Sequence, residues 1–310
     1  MKHFLSIVDV SREELANIIE KAVEIKKHLK ENGANNHKVL QDKTLAMIFE
    51  KPSLRTRLSF EAGMTQLGGH AIYLGPSDIG LGKRESVHDI AKTTSGMCDI
   101  IMARVFEHAN LIALARDSRV PVINALSDLE HPCQALADFM TIKEKKGKLS
   151  GLTLAFVGDG NNNVTHSLAL AAALLGVNFR VASPEKHRMK REIYSKAEEI
   201  AGSDSFIFET LEPQEAVRGA DVVYTDTWVS MGSENEKEER LKDFYGFQVT
   251  AELMRLAKPE AVFMHDLPAY RGSEVVAEVI DGPQSIVFDQ AENRLHVQKS
   301  LILFLLDKFI

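Results

Sequence analysis

Residues 45–61 read Leu45-Ala-Met-Ile-Phe-Glu-Lys-Pro-Ser-Leu-Arg-Thr-Arg-Leu-Ser-Phe-Glu61. An apolar run from Leu45 to Phe49 ends at Lys51-Pro52, because proline cannot donate to a sheet ladder. Ser53 is then placed to cap a helix, and Arg55 and Arg57 set two fixed charges beside the backbone N–H groups that a helix start leaves without intrahelical acceptors. Strand, turn and helix in this order outline an oxyanion cradle, for which phosphate is the natural guest. Taken alone, the stretch reads equally well as a capped surface helix with two solvated arginines.

Composition narrows the field. The chain has 310 residues, 45% hydrophobic and 26% charged, enough to bury a full core in two domains and far from disordered or fibrous classes. A net charge of −7 and a pI near 5.9 argue against a surface for nucleic acid or acidic membranes, so an anion site has to be a local basic pocket. No apolar run approaches the ~18 to 20 residues of a membrane span, the nearest being Leu301 to Leu306. The two cysteines, Cys98 and Cys133, follow nothing that resembles a secretory signal, which gives the expectation of a reduced, cytoplasmic setting.

Along the chain, Ser11-Arg-Glu-Glu14 is a capping box that opens a helix of about 20 residues. Strands are then expected near 44–49, 71–74, 100–104 and 120–125, with helices between them and a glycine-rich loop over 75–83. Lys143 to Gly151 is a polar break, after which Leu152 to Val157 starts a second α/β unit, with a helix over 167–175. Further strands are expected near 179–182, 206–208, 222–225 and 262–264, and a last helix from Gln290 that carries Arg294 and His296. This alternation predicts an α/β chain of two doubly wound domains, each a parallel sheet flanked by helices, with helices at both termini linking them. The expected division is 1–147, with the helix over about 290–310 packing back on it, and 148–289.

Open parallel sheets bind ligands at the carboxyl ends of their strands. The polar residues expected there are Ser53, Arg55, Thr56 and Arg57, Arg104, His131 and Gln134 from the first half, and Asn162, Asn163, Asp226, Ser230, His265 and Asp266 from the second. Arginines and a histidine suit an anion, whereas amide, carboxylate and hydroxyl suit an ammonium or amino acid. Other chemistries fit less well. Gly158-x-Gly160 lacks the third glycine of a dinucleotide fingerprint, and no Gly-x-x-x-x-Gly-Lys-Ser/Thr exists. His265-Asp266 has no companion cluster at metal-ligand spacing, and Cys133 at a helix start reads as packed rather than nucleophilic.

Together these motifs resemble the aspartate/ornithine carbamoyltransferase superfamily nearly end to end, and most closely its ornithine branch. Ser53-Leu-Arg-Thr-Arg57 is similar to that family's carbamoyl-phosphate turn, and His131-Pro-Cys-Gln134 to its His-Pro-x-Gln signature. Asp226-Thr-Trp-Val-Ser-Met-Gly232 resembles the loop that marks the ornithine branch, and Asn162-Asn163 the asparagines near its amino-acid substrate. The resemblance implies that Ser53, Leu54, Arg55, Thr56, Arg57, Arg104, His131, Gln134, the Leu267 carbonyl and Arg294 bind carbamoyl phosphate. It implies that Asn162, Asn163, Asp226, Ser230, Met231, His265 and Asp266 serve L-ornithine, with Arg104, His131, Asp266 and Arg294 nearest the chemistry. No cofactor and no metal are required.

The family further implies a homotrimer with active sites shared between subunits, the loop Gly75 to Arg84 being lent to a neighbour with Lys83 or Arg84 as its charge. The charged stretch 232–243 is expected to move as a lid over the amino-acid site or to form a solvated surface helix. One departure stands out: at His265-Asp-Leu-Pro268 the ornithine branch usually has His-Cys-Leu-Pro, so Asp266 replaces a cysteine thought to meet the reacting amine. A carboxylate there would hold the ammonium charged, take its proton, or favour another amine acceptor. Three competing functions remain: a carbamoyltransferase for a different amine, a carbamoyl-phosphate-binding paralogue without turnover, and a dehydrogenase using Gly158-x-Gly160.

Overall fold

The computed structural model describes residues 2–33, 38–82, 84–229 and 236–309. The chain divides into two compact units, 1–140 with 292–310 and 141–291.

In the first unit, α1 (Arg12–Asn32) starts from the Ser11 capping box and stops where Gly33 takes a left-handed φ of 70°. β1 (Thr44–Phe49) leads into α2 (Leu54–Gln66), followed by β2 (His70–Leu74), α3 (Pro76–Ile79), α4 (Val87–Ser95), β3 (Ile100–Arg104), α5 (His108–Asp117), β4 (Val122–Leu126) and α6 (Pro132–Lys146). The four strands are parallel in the order β2-β1-β3-β4. β3 and β4 are buried at every position and β1 at all but its first, which is why they read as continuous apolar runs rather than alternating ones. The expected loop over 75–83 contains the single turn α3, since Pro76 suits a first helical position and the Asp78 carboxylate accepts from Gly75 N at 2.7 Å. Lys83 lies outside the described residues.

The second unit holds β5 (Thr153–Val157), α7 (Asn163–Leu175), β6 (Asn178–Ala182), α8 (Arg191–Ala201), β7 (Ile207–Thr210), α9 (Pro213–Val217), β8 (Val222–Tyr224), α10 (Lys237–Asp243), α11 (Ala251–Met254), β9 (Val262–Met264) and α12 (Ala277–Ile280). Its parallel sheet runs β7-β6-β5-β8-β9. α7 starts at Asn163, a full turn before the expected Ser167, because the Asn162 side chain caps it. The chain passes between the units within α6 and within α13 (Val287–Leu305). α6 runs on to Lys146, into the polar stretch where a break was expected.

Strand order reverses between β1 and β3 in the first sheet and between β5 and β8 in the second. Neighbouring strands at such a switch point send their following loops to opposite sides, which opens a crevice at their carboxyl ends. The loops there are the Ser53 turn and the segment after Arg104 in one unit, and the segments carrying Asn162 and Asp226 in the other.

Candidate active site

The Ser53 turn is built as a helix start. Ser53 is extended (φ −159°), its Oγ accepts from Thr56 N at 3.4 Å and donates to Thr56 Oγ1 at 3.0 Å, and Thr56 is buried beneath it. Glu50 N donates to Arg104 O at 2.9 Å and Glu50 Oε2 accepts from Phe106 N at 2.8 Å, so the turn is fastened to the end of β3. Register pairs Phe49 with Arg104, which places the Arg104 side chain beside the turn although the two are far apart in sequence.

Behind it, His131 precedes α6 and is fully buried, and its pKa is driven well below 6.5 by burial and by Arg294, Arg104, Lys51 and Arg55 around it. The imidazole is therefore neutral. Gln134, one turn into α6, accepts through Oε1 from Arg294 Nη1 at 2.6 Å and donates through Nε2 to Asp138 Oδ1 at 2.8 Å. Arg294 Nη2 also reaches Thr56 Oγ1 at 3.4 Å, so α13 returns a cation to the Ser53 turn. Four cations crowded round one neutral histidine repel one another, and an oxyanion is the complement that relieves this.

Sequence reasoning passed over Lys51, treating it only as the end of a strand. Its ammonium is pulled down to about 8 by burial and by Arg104, and Nζ lies 4.9 Å from the Phe106 ring centroid. A lysine two residues after a buried strand and immediately before a proline was the available signal. Arg57 behaves differently from Arg55: its side chain is half exposed, with Nε 3.1 Å from Glu61 Oε1 and its guanidinium 4.1 Å from the Tyr73 ring centroid, away from the group around His131. The Leu54 side chain is exposed, and its backbone N–H stands in the first turn of α2. Cys133 is packed, its thiol donating to Asn124 O at 3.3 Å and pushed up to about 12 by burial, which removes it as a nucleophile.

In the second unit the two asparagines separate. Asn162 uses both ends of its amide, Oδ1 accepting from Val164 N and Nδ2 donating to Asp226 Oδ2, each at 2.6 Å. Asn163 stands half-exposed at the first helical position. Asp226 is buried and also accepts from Thr227 N at 2.6 Å, so Asn162 orients the carboxylate. Ser230 and Met231 lie outside the described residues.

β9 ends in a second polar group. His265 is fully buried, accepts at Nδ1 from Leu267 N (2.9 Å) and so carries its proton on Nε2, 3.1 Å from Glu274 Oε1. Glu274 in turn accepts from Tyr270 N at 2.6 Å, locking the 265–270 loop, in which Leu267 adopts φ 60°. Asp266 Oδ1 lies 3.5 Å from His265 Nδ1. Asp226, His265 and Asp266 each offer a ligand atom within 4.8 Å of the others, a grouping that spacing within 265–266 could not reveal because Asp226 arrives from β8. As a metal site the fit is poor, because the Nδ1 lone pair is taken by Leu267 N–H and Asp226 already accepts two hydrogen bonds.

The glycines and the charged stretch also find explanations. A Cβ on Gly160 would sit 2.8 Å from both His187 O and Ser183 Oγ, so Gly160 serves a close approach of loops rather than a cofactor. Residues 230–235 lie outside the described residues; within 236–243 no residue is buried and the ties are polar, Arg240 pairing with buried Asp159 and Asp243 Oδ2 lying 3.0 Å from His187 Nε2, while Phe244, the next residue, is fully buried.

These features define an α/β chain of two parallel-sheet units with a cation-lined cradle at one switch point and an amide–carboxylate pair at the other. Residues 2–144 match the carbamoyl-phosphate-binding domain, and residues 150–305 the aspartate/ornithine-binding domain, of the aspartate/ornithine carbamoyltransferases. The chain is 51% identical to the ornithine carbamoyltransferase of Methanosarcina mazei over 97% of this chain and 98% of that relative. It is 52% identical to that of Thermococcus kodakarensis over 96% and 94%. The solved ornithine carbamoyltransferase of Pyrococcus furiosus superposes with a TM-score of 0.95 at 47% identity, over 100% of this chain and 98% of that one. The anabolic enzyme of Campylobacter jejuni superposes at 0.92 and 43%, over the whole of both chains. The chain belongs to the ornithine carbamoyltransferase family, within the aspartate/ornithine carbamoyltransferases, and is an enzyme of that carbamoyl-transferring class.

Proposed function

We propose that the chain transfers the carbamoyl group of carbamoyl phosphate to the side-chain amine of L-ornithine, giving L-citrulline and phosphate. The observation that carries this is the convergence of Lys51, Arg55, Arg104 and Arg294 on the neutral, buried His131. Ser53, the backbone of Leu54, Thr56 and the first turn of α2 hold the phosphate, with Arg55 and Lys51 as counter-charges and Arg57 at the rim. Arg104 and His131 polarise the carbamoyl oxygen; a neutral imidazole donates there without adding a further cation. Gln134 Oε1 accepts from the carbamoyl NH2, and Arg294 fixes Gln134 for that task.

On the acceptor side, Asn163, Asp226, Ser230 and Met231 hold the α-carboxylate and α-ammonium, with Asn162 orienting Asp226. His265, steadied by Glu274, shapes the loop that presents Asp266 to the δ-amine. The free amine attacks the carbonyl carbon, the C–O bond to phosphate breaks, and the proton lost by nitrogen passes to Asp266 or water. Each preorganised donor lowers the barrier by roughly 3 kcal/mol. Alignment and charge suffice because the donor arrives activated, so neither cofactor nor metal has a step to perform.

A second acceptor is favoured by one observation, the proximity of the Asp226 and Asp266 carboxylates. Two anions at the amine end favour an acceptor with more positive charge than ornithine. Steady-state assay of ornithine beside putrescine, lysine and longer polyamines discriminates: citrulline formation with the highest kcat/KM sustains the ornithine reading, and preference for a diamine replaces it. We also propose a cytoplasmic homotrimer serving arginine biosynthesis, with loop 75–84 lent to a neighbouring subunit. Family membership supports that reading, and among the described residues no helix is long and apolar enough to cross a membrane. Light scattering at about three times 34.5 kDa is the expected outcome; a monomer would overturn the shared-site arrangement.

A further inference from the structure

We propose that Arg240 is a positioning residue for the amino-acid acceptor, tying the loop that carries Asn162 and Asn163 to the loop that carries Asp226; the proposal rests on the acceptor reading above. Arg240 sits in α10 and touches neither Asn163 nor Asp226. Its Nε donates to Trp228 O at 2.5 Å, two residues beyond Asp226, and Nη2 pairs with the Asp159 carboxylate, three residues before Asn162. The guanidinium plane lies over the Phe244 ring, 5.4 Å from its centroid, and Phe244 stacks on Trp228 at 5.6 Å and 12°.

Asp159 is itself built into its loop. Oδ1 accepts from Asn161 N at 2.9 Å, and the Asp159 carbonyl accepts from Thr165 Oγ1 at 2.8 Å within the first turn of α7. One side chain therefore holds both loops that leave β5 and β8 at the switch point. The Asn162–Asp226 hydrogen bond, which orients the acceptor carboxylate, is the narrow consequence of that spacing.

Lysine could not do this work. A guanidinium presents donors in a fixed planar fork and stacks on an aromatic face, whereas an ammonium is a single hydrated charge. Nor is a stability role the economical explanation, because a buried ion pair generally contributes little over neutral groups of the same shape while fixing one geometry. The geometry points to the distance between the two loops as the quantity Arg240 controls.

The test compares wild type with Arg240→Lys and with the double variant Asp159→Asn/Arg240→Met, in which no buried charge is left unpaired and the amide oxygen introduced at position 159 still accepts from Asn161 N. Measured for each are KM and kcat for ornithine, KM for carbamoyl phosphate and the urea midpoint. The clamp predicts that KM for ornithine rises about tenfold or more in both variants, with KM for carbamoyl phosphate within about twofold of wild type and the double variant folded. A double variant that folds with wild-type KM for ornithine overturns it, as does an equal rise in both KM values. If wild type itself forms no citrulline, the acceptor reading fails, and the clamp is then judged by the same split on whichever amine is carbamoylated.

Discussion

Arg294 Nη1 donates to Gln134 Oε1 at 2.6 Å, joining residues 160 apart in sequence beside the Ser53 turn. With Asp138 accepting from Nε2, the amide orientation of Gln134 is settled from both ends, and its carbonyl oxygen keeps a second lone pair for the carbamoyl NH2. Arg294→Met therefore removes a counter-charge and releases Gln134. We expect kcat/KM for carbamoyl phosphate to fall by about a hundredfold or more, roughly 3 kcal/mol, with KM for ornithine little changed. Steady-state kinetics with each substrate varied in turn checks this, and an equal effect on both substrates would contradict it.

The two arginines of the opening turn are not equivalent. Arg55 is among the cations that act on His131, whereas Arg57 rests on Glu61 and Tyr73 at the surface. Arg55→Ala is expected to lower affinity for carbamoyl phosphate by about a hundredfold, and Arg57→Ala by about tenfold or less. Calorimetric titration of the donor into both variants gives the order directly. Reversal of that order would place Arg57, not Arg55, on the phosphate.

Lys51 supplies a pH dependence. Its pKa is lowered to about 8 because burial and Arg104 disfavour the ammonium, so in the free enzyme the charge is present below about 8 and lost above it. Affinity for carbamoyl phosphate should weaken as pH rises through 8 to 9, where the arginines stay charged. Lys51→Met should bind more weakly at pH 7 and show a flatter profile over that interval. Parallel profiles for the two proteins would remove Lys51 from the site.

Asp266 is the residue proposed to meet the acceptor amine. Its carboxylate lies close to Asp226, and the neighbouring His265 Nδ1 is occupied by Leu267 N–H, so the nearest histidine nitrogen has no proton to offer it. An ammonium held there has to lose a proton before it can attack. Asp266→Cys is expected to change kcat for ornithine and its pH profile while leaving KM for carbamoyl phosphate unchanged. Unaltered kcat and profile would show that Asp266 does not meet the reacting amine.

Much of this arrangement was legible from residue order. Every strand of both sheets was expected within two residues at either end, because buried parallel strands are short apolar runs that end on polar loops, as at Phe49-Glu50 and Val157-Gly158. After Ala182, the short helices α9, α11 and α12 were not foreseen, because each has five residues or fewer, too few for a periodic face to show, and α8 was not singled out. Within the site, the residue types were readable but their division of labour was not. Asn162 and Asn163 look alike in a line, yet one is consumed by a helix cap and Asp226 while the other reaches the surface. Lys51 and Arg240 escaped notice because each acts through partners distant in sequence, Lys51 beside Arg104 and Arg240 on Asp159.

In the proposed reaction the donor's carbonyl carbon becomes bonded to the δ-nitrogen of ornithine. Incubation with carbamoyl phosphate labelled at the carbonyl with 13C and ornithine labelled at the δ-nitrogen with 15N, followed by NMR of the product, observes that bond directly. The expected product shows a ureido carbon signal split by one-bond coupling to 15N, appearing together with inorganic phosphate in equal amounts. Phosphate release that leaves the 13C in bicarbonate or carbamate, with no carbon–nitrogen coupling, would contradict that reaction.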